Sequence, residues 1–348
     1  MVAEKNGLSL EMDVPICSVC IANYNGLEMI DDCLRSVMEQ KGQFTVEILV
    51  HDDASSDGSV AYIRDRYPGV RLIVSERNVG FCVANNRMAA EASGEYLLLL
   101  NNDAALYPDA LLTLLAEATR LDQPAILSLA QYDFDSGELL DIGSILDPFL
   151  NPIPNQNPDR GEVGMVMGAC LWIPKTLWQE LDGFPEWFES IGEDLHLCCR
   201  ARLAGYPVGA LGQSGYRHRV GASFGGGRAM AGRLVTNYRR RALSERNKTF
   251  VMILCYPFWL LAVVLPLHLS ILFIEGAVLT ALKCNPRLWR EIYAPLPAAL
   301  WRARKNLLAL RCEIQENRNS STASFLRPFH WAPWKLKMLL KHGLPVVK

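Results

Sequence analysis

The sequence predicts an α/β protein built on a mostly parallel, doubly wound sheet and followed by a C-terminal helical region. Four short runs, at 16–22, 46–50, 70–74 and 96–100, are dominated by apolar residues with little alternation, as strands buried on both faces are. Each of the first three is followed by a stretch of helical length, so strand and helix alternate in the way that builds a parallel sheet. After residue 228 the composition changes to long apolar and basic stretches of helical character. Residues 1–14 are therefore read as an extension, 15–228 as the α/β domain and 229–348 as a helical region.

At 348 residues the chain has room for one large domain with an appendage. A net charge of −2 implies no global polyanion-binding surface, and nucleic acid is not an expected partner. The ten cysteines are scattered, and the Cys17-x-x-Cys20 pair lies inside an apolar strand with no second pair at metal spacing. Core thiols in a reducing compartment are the expected reading. The first fourteen residues carry no apolar run of the signal-peptide kind, so the main domain is expected in the cytoplasm. Asn247-Lys-Thr249 and Asn319-Ser-Ser321 would matter as glycosylation acceptors only in an exported segment.

Taken in order, Ile16 to Ala22 reads as a strand, Asn23-Tyr-Asn-Gly26 as a turn, and Leu27 to Gln40 as an amphipathic helix. Val46 to Val50 is a second strand that runs into His51-Asp52-Asp53 and Ser55-Ser-Asp-Gly58, where capping of the next helix accounts for one acid but not for all three. Val70 to Val74 is a third. Asn78-Val-Gly80-Phe81 then opens a helix to Ala92, and Tyr96 to Leu100 is the fourth strand, ending in Asn101-Asn102-Asp103. A helix from Asp109 to Arg120 and a strand near Ile126 follow. The Pro- and Asn-rich segment 147–163 reads as a long surface loop, and 164–173 as a strand with small residues.

Polar residues that end buried strands deserve a functional reading, because open α/β sheets bind ligands beyond the carboxyl ends of their strands. For Asn-Asn-Asp alone, a simple Asx turn would explain as much. No G-x-G-x-x-G follows the first strand and no Walker A sequence is present, so nucleotide binding would rely on carboxylates and a hard divalent ion such as Mg²⁺ or Mn²⁺. Glu193-Asp194 opens a helix that runs to Ala204, where acids are favoured by the helix dipole. Yet Trp187, Phe188 and Gly192 make the approach apolar, which suits a general base. Gly212 to Arg228 reads as a basic loop, with Arg217-His218-Arg219 and a run of glycines, suited to a diphosphate or its metal.

In this order and spacing the motifs resemble an inverting family-2 glycosyltransferase of the GT-A fold, over about 16–247. They are Asn23-Tyr-Asn-Gly26, Asp52 with Ser55-Ser-Asp-Gly58, Asn78-Val-Gly80-Phe81 with Asn85-Asn86, Leu100-Asn-Asn-Asp103, Gly183-Phe184, Glu193-Asp194 and His218. The N-x-D in place of D-x-D, and Arg246-Asn247 before an apolar tail, resemble the rhamnosyltransferase-like subgroup that assembles cell-surface polysaccharides. The resemblance implies that Asp52 contacts the base of a nucleotide-diphosphate sugar, and that Asp103 and His218 hold Mg²⁺ or Mn²⁺ against the diphosphate. Asp194 would be the catalytic base. Asn23, Asn25, Asn78, Gly80, Asn85, Asn101, Glu193 and Arg217 would line the substrate site. Asn101 departs from the first acid of D-x-D, and His196 stands where relatives often carry another acid. The lack of Q-x-x-R-W favours transfer of one sugar per encounter. The implied partners are the sugar donor, a glycan acceptor carried on a lipid, and a membrane surface. A catalytically silent nucleotide-sugar-binding scaffold is the alternative. A sugar nucleotidyltransferase is disfavoured because no Gly- and Arg-rich loop follows the first strand.

Phe250 to Leu282 is the most apolar stretch, and Pro266 is expected to divide it into two pieces, each short for a bilayer crossing. Basic residues on both sides favour a re-entrant or in-plane helical hairpin at the cytoplasmic membrane face, against the alternative of a buried helical pair. Phe329, Trp331, Trp334, Lys335, Lys337 and Lys341 repeat the aromatic-plus-lysine character of an interfacial helix.

Overall fold

The computed structural model describes residues 14–221, 226–230, 233–344 and 346–348, with 226–230, 233 and 234 described as backbone only. Nearly all of the expected extension and part of the Gly-rich run, 222–225, lie outside these residues.

The expected strands and helices form in order: β1 (Cys17–Asn23), α1 (Ile30–Met38), β2 (Val46–Asp52), α2 (Ser59–Arg66), β3 (Arg71–Val74), α3 (Phe81–Glu91) and β4 (Tyr96–Asn101). They continue with β5 (Ala104–Leu106), α4 (Ala110–Arg120), β6 (Ile126–Asp133), β7 (Leu139–Asp141), β8 (Ser144–Leu146), β9 (Pro152–Pro154), β10 (Cys170–Pro174), α5 (Lys175–Glu180), α6 (Glu193–Ala204) and β11 (Val208–His218). The main sheet has the order β3-β2-β1-β4-β10-β6-β11-β5, with β7 beside β6. β3, β2, β1 and β4 are parallel, whereas β10 runs antiparallel to both of its neighbours. The chain passes from β1 outwards to β3 and returns to place β4 on the other side of β1. The β1–β4 boundary is therefore the point where the winding reverses and a crevice opens.

Three local expectations change. The loop expected from Gly212 starts only after His218, because β11 runs on to that residue between β6 and β5. The strand expected over 164–173 is confined to β10, because 164–169 leaves the ladder to pass Gly168 beside α6. The Pro-rich segment 147–163 is tacked down rather than a simple surface loop. β8 and β9 pair within and beside it, Leu150 and Val163 are buried, and the Asp147 carboxylate gathers the N–H groups of Phe149, Asn151 and Trp334.

Backbone β12 (Gly226–Met230) and β13 (Arg233–Thr236) lead into α7 (Tyr238–Cys255) and α8 (Phe258–Leu282). A short α9 (Pro286–Leu288) and a single π turn precede α10 (Pro295–Glu316), α11 (Thr322–Leu326), α12 (Trp334–His342) and β14 (Val346–Val347), which pairs with β13. The expected break at Pro266 does not occur. The chain turns at Tyr256-Pro257, and α8 runs unbroken through Pro266. One hydrophobic core is shared by the sheet and this region: Leu99, Leu171, Phe188 and Leu197 pack in the same cluster as Phe250, Met252, Leu254, Leu307 and Phe325.

Candidate active site

The site grows from the carboxyl ends of β1, β2 and β4. Register places Asn23 opposite Asp52 and Ala22 opposite Asn101, so three polar strand ends emerge side by side. Asn23 joins them: its amide donates to the Asp52 carboxylate at 2.8 Å and its carbonyl accepts from Asn102 at 2.8 Å. Gly26 is required here, since a Cβ would meet both Asn23 and Asn102 at 2.2 Å. Asn102, read from sequence as a turn residue, thus also ties two strands together.

Asp52 is fully buried and also accepts from the Ser55 N–H at 2.9 Å, while Asn25 bonds Ser55 and Ser56. The neighbouring Asp53, unassigned in sequence, clamps the N–H groups of Val79 and Gly80 at 2.7 and 2.9 Å. It therefore shapes the Asn78-Val-Gly80 turn, where Gly80 has φ +90° and Asn78 is exposed. Asn85 is buried and donates to the Phe81 carbonyl of its own helix at 2.9 Å, so its amide is directed into α3. Asn86, beside it, reaches across the chain instead, pairing with both the C=O and the N–H of Phe184 at 2.8 and 3.0 Å.

At the end of β4, His218 Nε2 lies 3.1 Å from the Asp103 carboxylate and 3.4 Å from the Asn101 amide. β5 and β11 bring them together by pairing His218 with Ala104, and the Arg219 N–H donates to the Asp103 carbonyl at 3.0 Å. Strand alternation turns Arg217 to the other side, where it is exposed and does not join the cluster. Arg219, next in sequence to His218, is held by Asp32 at 2.7 Å and over the Phe134 ring at 3.4 Å. Among the described residues no cluster of three or more His, Cys, Asp or Glu could hold a metal. One carboxylate and one imidazole fit a hard divalent ion whose remaining ligands come from substrate phosphate and water.

Glu193 and Asp194 open α6 behind Gly192, at φ +93°. Asp194 accepts from the Gly168 N–H at 3.2 Å and from the Leu195 N–H at 2.7 Å. The adjoining Ala169 carbonyl accepts the Asn101 N–H at 3.1 Å, so a single peptide step separates the contacts of Asp194 from those of the Asn101-Asp103 turn. Burial pushes both acids upward: Glu193 to about 8, with the Asp194 charge adding to it, and Asp194 against the opposing pull of its backbone donors. Arg240, in the first turn of α7, is a half-buried cation whose field reaches both acids. The segment before them is latched by Asn247, whose amide donates to the carbonyls of Phe188, Ser190 and Ile191 at 2.9, 3.0 and 2.7 Å. Sequence reasoning missed Asp53, Asn86, Arg240 and the latching role of Asn247. The doubled acid at 52–53, the Asn85-Asn86 pair and the Arg-Asn pair at 246–247 offered a signal. Burial, with Arg200 adding to it, drives the His196 imidazole down to about 3, so it is neutral.

Paired strand-end amides, an Asp–His pair and a helix-opening acid pair thus gather at one edge of the sheet. Residues 18–181, just under half of the chain, match the model described as Glycosyl transferase family 2. It is similar to an N-acetylglucosaminyl-diphospho-decaprenol L-rhamnosyltransferase of Mycobacterium tuberculosis, 27% identical over 46% of this chain and 62% of the relative. The chain spans between about a third and just under two thirds of the first curated relatives it matches. In fold it is similar to Staphylococcus aureus TarS 1-349 in complex with UDP, with TM-score 0.52, 17% identity and coverage of 86% of this chain and 90% of that one. It also resembles GalNAc-T7 with UDP, GalNAc and Mn²⁺, with TM-score 0.56, 16% identity and coverage of 69% and 49%. The expected GT-A architecture is thus the observed one.

Proposed function

We propose that the chain transfers one hexosyl residue, rhamnose or another, from a nucleotide-diphosphate sugar to an acceptor hydroxyl with inversion. The acceptor is a lipid-linked glycan of cell-surface polysaccharide synthesis, met at the cytoplasmic face of the membrane. The observation that carries this reading is the one-peptide separation between the Asp194 contacts and the Asn101-Asp103 turn. It sets a carboxyl of raised proton affinity beside a carboxylate–imidazole pair at the winding reversal. The rhamnosyltransferase relative, by its name, supports both the sugar and a lipid-diphosphate acceptor.

In this reading Asn23, Asp52 and the Asn25–Ser56 turn shape the floor for the nucleotide, and Asp103 with His218 would hold Mg²⁺ or Mn²⁺. The ion, when bound, offsets negative charge that develops on the diphosphate as the glycosidic bond breaks. Asp194 takes the proton of the attacking hydroxyl, its ionised form favoured over that of Glu193 by two backbone donors. Attack from the face opposite the leaving group inverts the anomeric carbon. Glu193 remains protonated beside it at neutral pH and can donate a hydrogen bond.

The test is nucleotide release from a panel of nucleotide sugars with Mn²⁺ and an acceptor. Asp194→Asn should lower turnover by about 10²–10⁴-fold, the range for general-base catalysis, with donor affinity by calorimetry unchanged. Asp103→Ala should remove the metal dependence of that affinity. Full turnover in the first variant would dismiss Asp194 as base, and unchanged metal dependence in the second would dismiss the Asp103 site.

A further inference from the structure

α8 is inverted relative to an ordinary surface helix. Phe258, Trp259, Val263, Ile274 and Leu282 are 58–79% exposed, and the other exposed positions of the helix are Ala, Val, Leu, Ile, Pro or Ser. Its ionisable side chains face the protein. His268 lies 2.9 Å from the Thr249 hydroxyl of α7, and Glu275 pairs with Arg241 and with Lys335 at 2.8 Å. A solvated helix would show the reverse pattern.

At 25 residues the helix is about 37 Å long, enough to cross a bilayer. Its inner face rules out that arrangement while it stays docked. Arg241, Glu245, Lys248 and Lys335 are clustered behind it, and a crossing would carry this network into the hydrocarbon, where charges are costly. Lys283, Arg287 and Arg290 are exposed just beyond the helix, and Lys337 and Lys341 alternate with exposed Leu336, Leu339 and Leu340 on α12. Cations bordering an apolar surface suit anionic headgroups.

We infer that α8 lies parallel to the membrane, with its outer face in the headgroup–acyl boundary of an anionic bilayer and its inner face docked on the protein. This deepens the membrane-facing part of the proposed function but is carried by α8 itself. α7 is the strut between this surface and the site: Thr249 meets His268 of α8, while Asn247, two residues away, latches the segment that leads to Glu193 and Asp194. A chain held by α8 therefore keeps its acid pair close to the lipid surface, where an acceptor on a lipid carrier is presented.

The experiment uses the full chain with Cys284 and Cys312 replaced by serine, spin-labelled singly at 263, 267, 274 and 282. It is mixed with vesicles of phosphatidylcholine and phosphatidylglycerol. Collision with oxygen and with a water-soluble nickel complex reads the depth of each label. The expected result is one shallow depth, about 5–10 Å, at all four positions. Val263→Glu with Ile274→Glu should shift the chain from the vesicle to the soluble fraction on flotation. Depth that increases to a midpoint and then decreases along the helix would overturn the inference in favour of a crossing. Failure to bind vesicles, together with a mass in solution that halves in the double variant, would assign the face to a second copy. Nucleotide release with a lipid-free acceptor is followed in parallel. Vesicle binding without transfer would sink the proposed reaction and leave the α8 inference standing.

Discussion

Glu193 and Asp194 are neighbours on one helical turn, yet their surroundings give them different work. Asp194 is partly accessible and held by two backbone N–H groups, while Glu193 is buried and its proton affinity rises to about 8. The folded chain therefore keeps a proton on Glu193 that the unfolded chain has released above the ordinary carboxylate value of 4.5. Across that interval the unfolded state binds fewer protons, and stability falls as pH rises. The contribution is whole below 4.5 and lost as pH passes about 8. Urea midpoints from pH 5 to pH 9 should decline in the native chain, and Glu193→Gln should flatten the decline. An equal slope in both would show that Glu193 is not the group responsible.

Asn247 shows how an element can hold in place a segment it does not belong to. It sits on α7 and binds three carbonyls of the stretch 188–191, in which Glu189 and Ile191 hold φ of +67° and +66°. Gly192 follows, and a Cβ there would approach the Asn247 Cβ to 3.3 Å. Asn247→Ala is expected to cost about 1–3 kcal/mol by taking the amide donor from the Ser190 and Ile191 carbonyls, read by urea unfolding. Displacement of the acid pair should lower turnover by about 10²-fold, and a variant with native turnover would deny the latch. The helical region also shows where the sequence was legible and where it was not. Strand ends such as Asn23, Asp52 and Asn101-Asp103 could be found because buried strands end abruptly in polar residues. The break between α7 and α8 could not, since Pro257 and Pro266 look alike in one dimension. What distinguishes them is remote: Arg311 of α10 binds the carbonyls of Ile253 and Tyr256, and Gln315 binds that of Leu254, so the end of α7 is capped from another helix. Arg311→Met should destabilise the chain by about 2 kcal/mol, in line with hydrogen bonds to a charged donor. Proteolysis should then open first at 253–258, and protection as in the native chain would refute the remote cap.

Composition separates the chain near residue 228, but packing does not follow that division. The inner faces of α7, α10 and α11 complete the core on which α6 and β10 rest. Phe250, Val251, Met252, Leu254 and Cys255 are all at most 2% exposed, beside Phe188, Leu197 and Leu171. Removing 229–348 would uncover the side of α6 that carries the acid pair and would also take away Asn247 and Arg240. Large apolar side chains each lose roughly 1.5–3 kcal/mol when such burial is undone, and a handful of them equals the whole stability of an ordinary domain, about 5–15 kcal/mol. A chain ending at 228 is therefore expected to lack fixed tertiary structure, with near-UV dichroism lost while far-UV signal persists. It should bind nucleotide sugar no better than the unfolded chain. The opposite result, a cooperative unfolding transition and intact donor binding in 1–228, would mean that the sheet supports the site alone and that the helical region is an appendage.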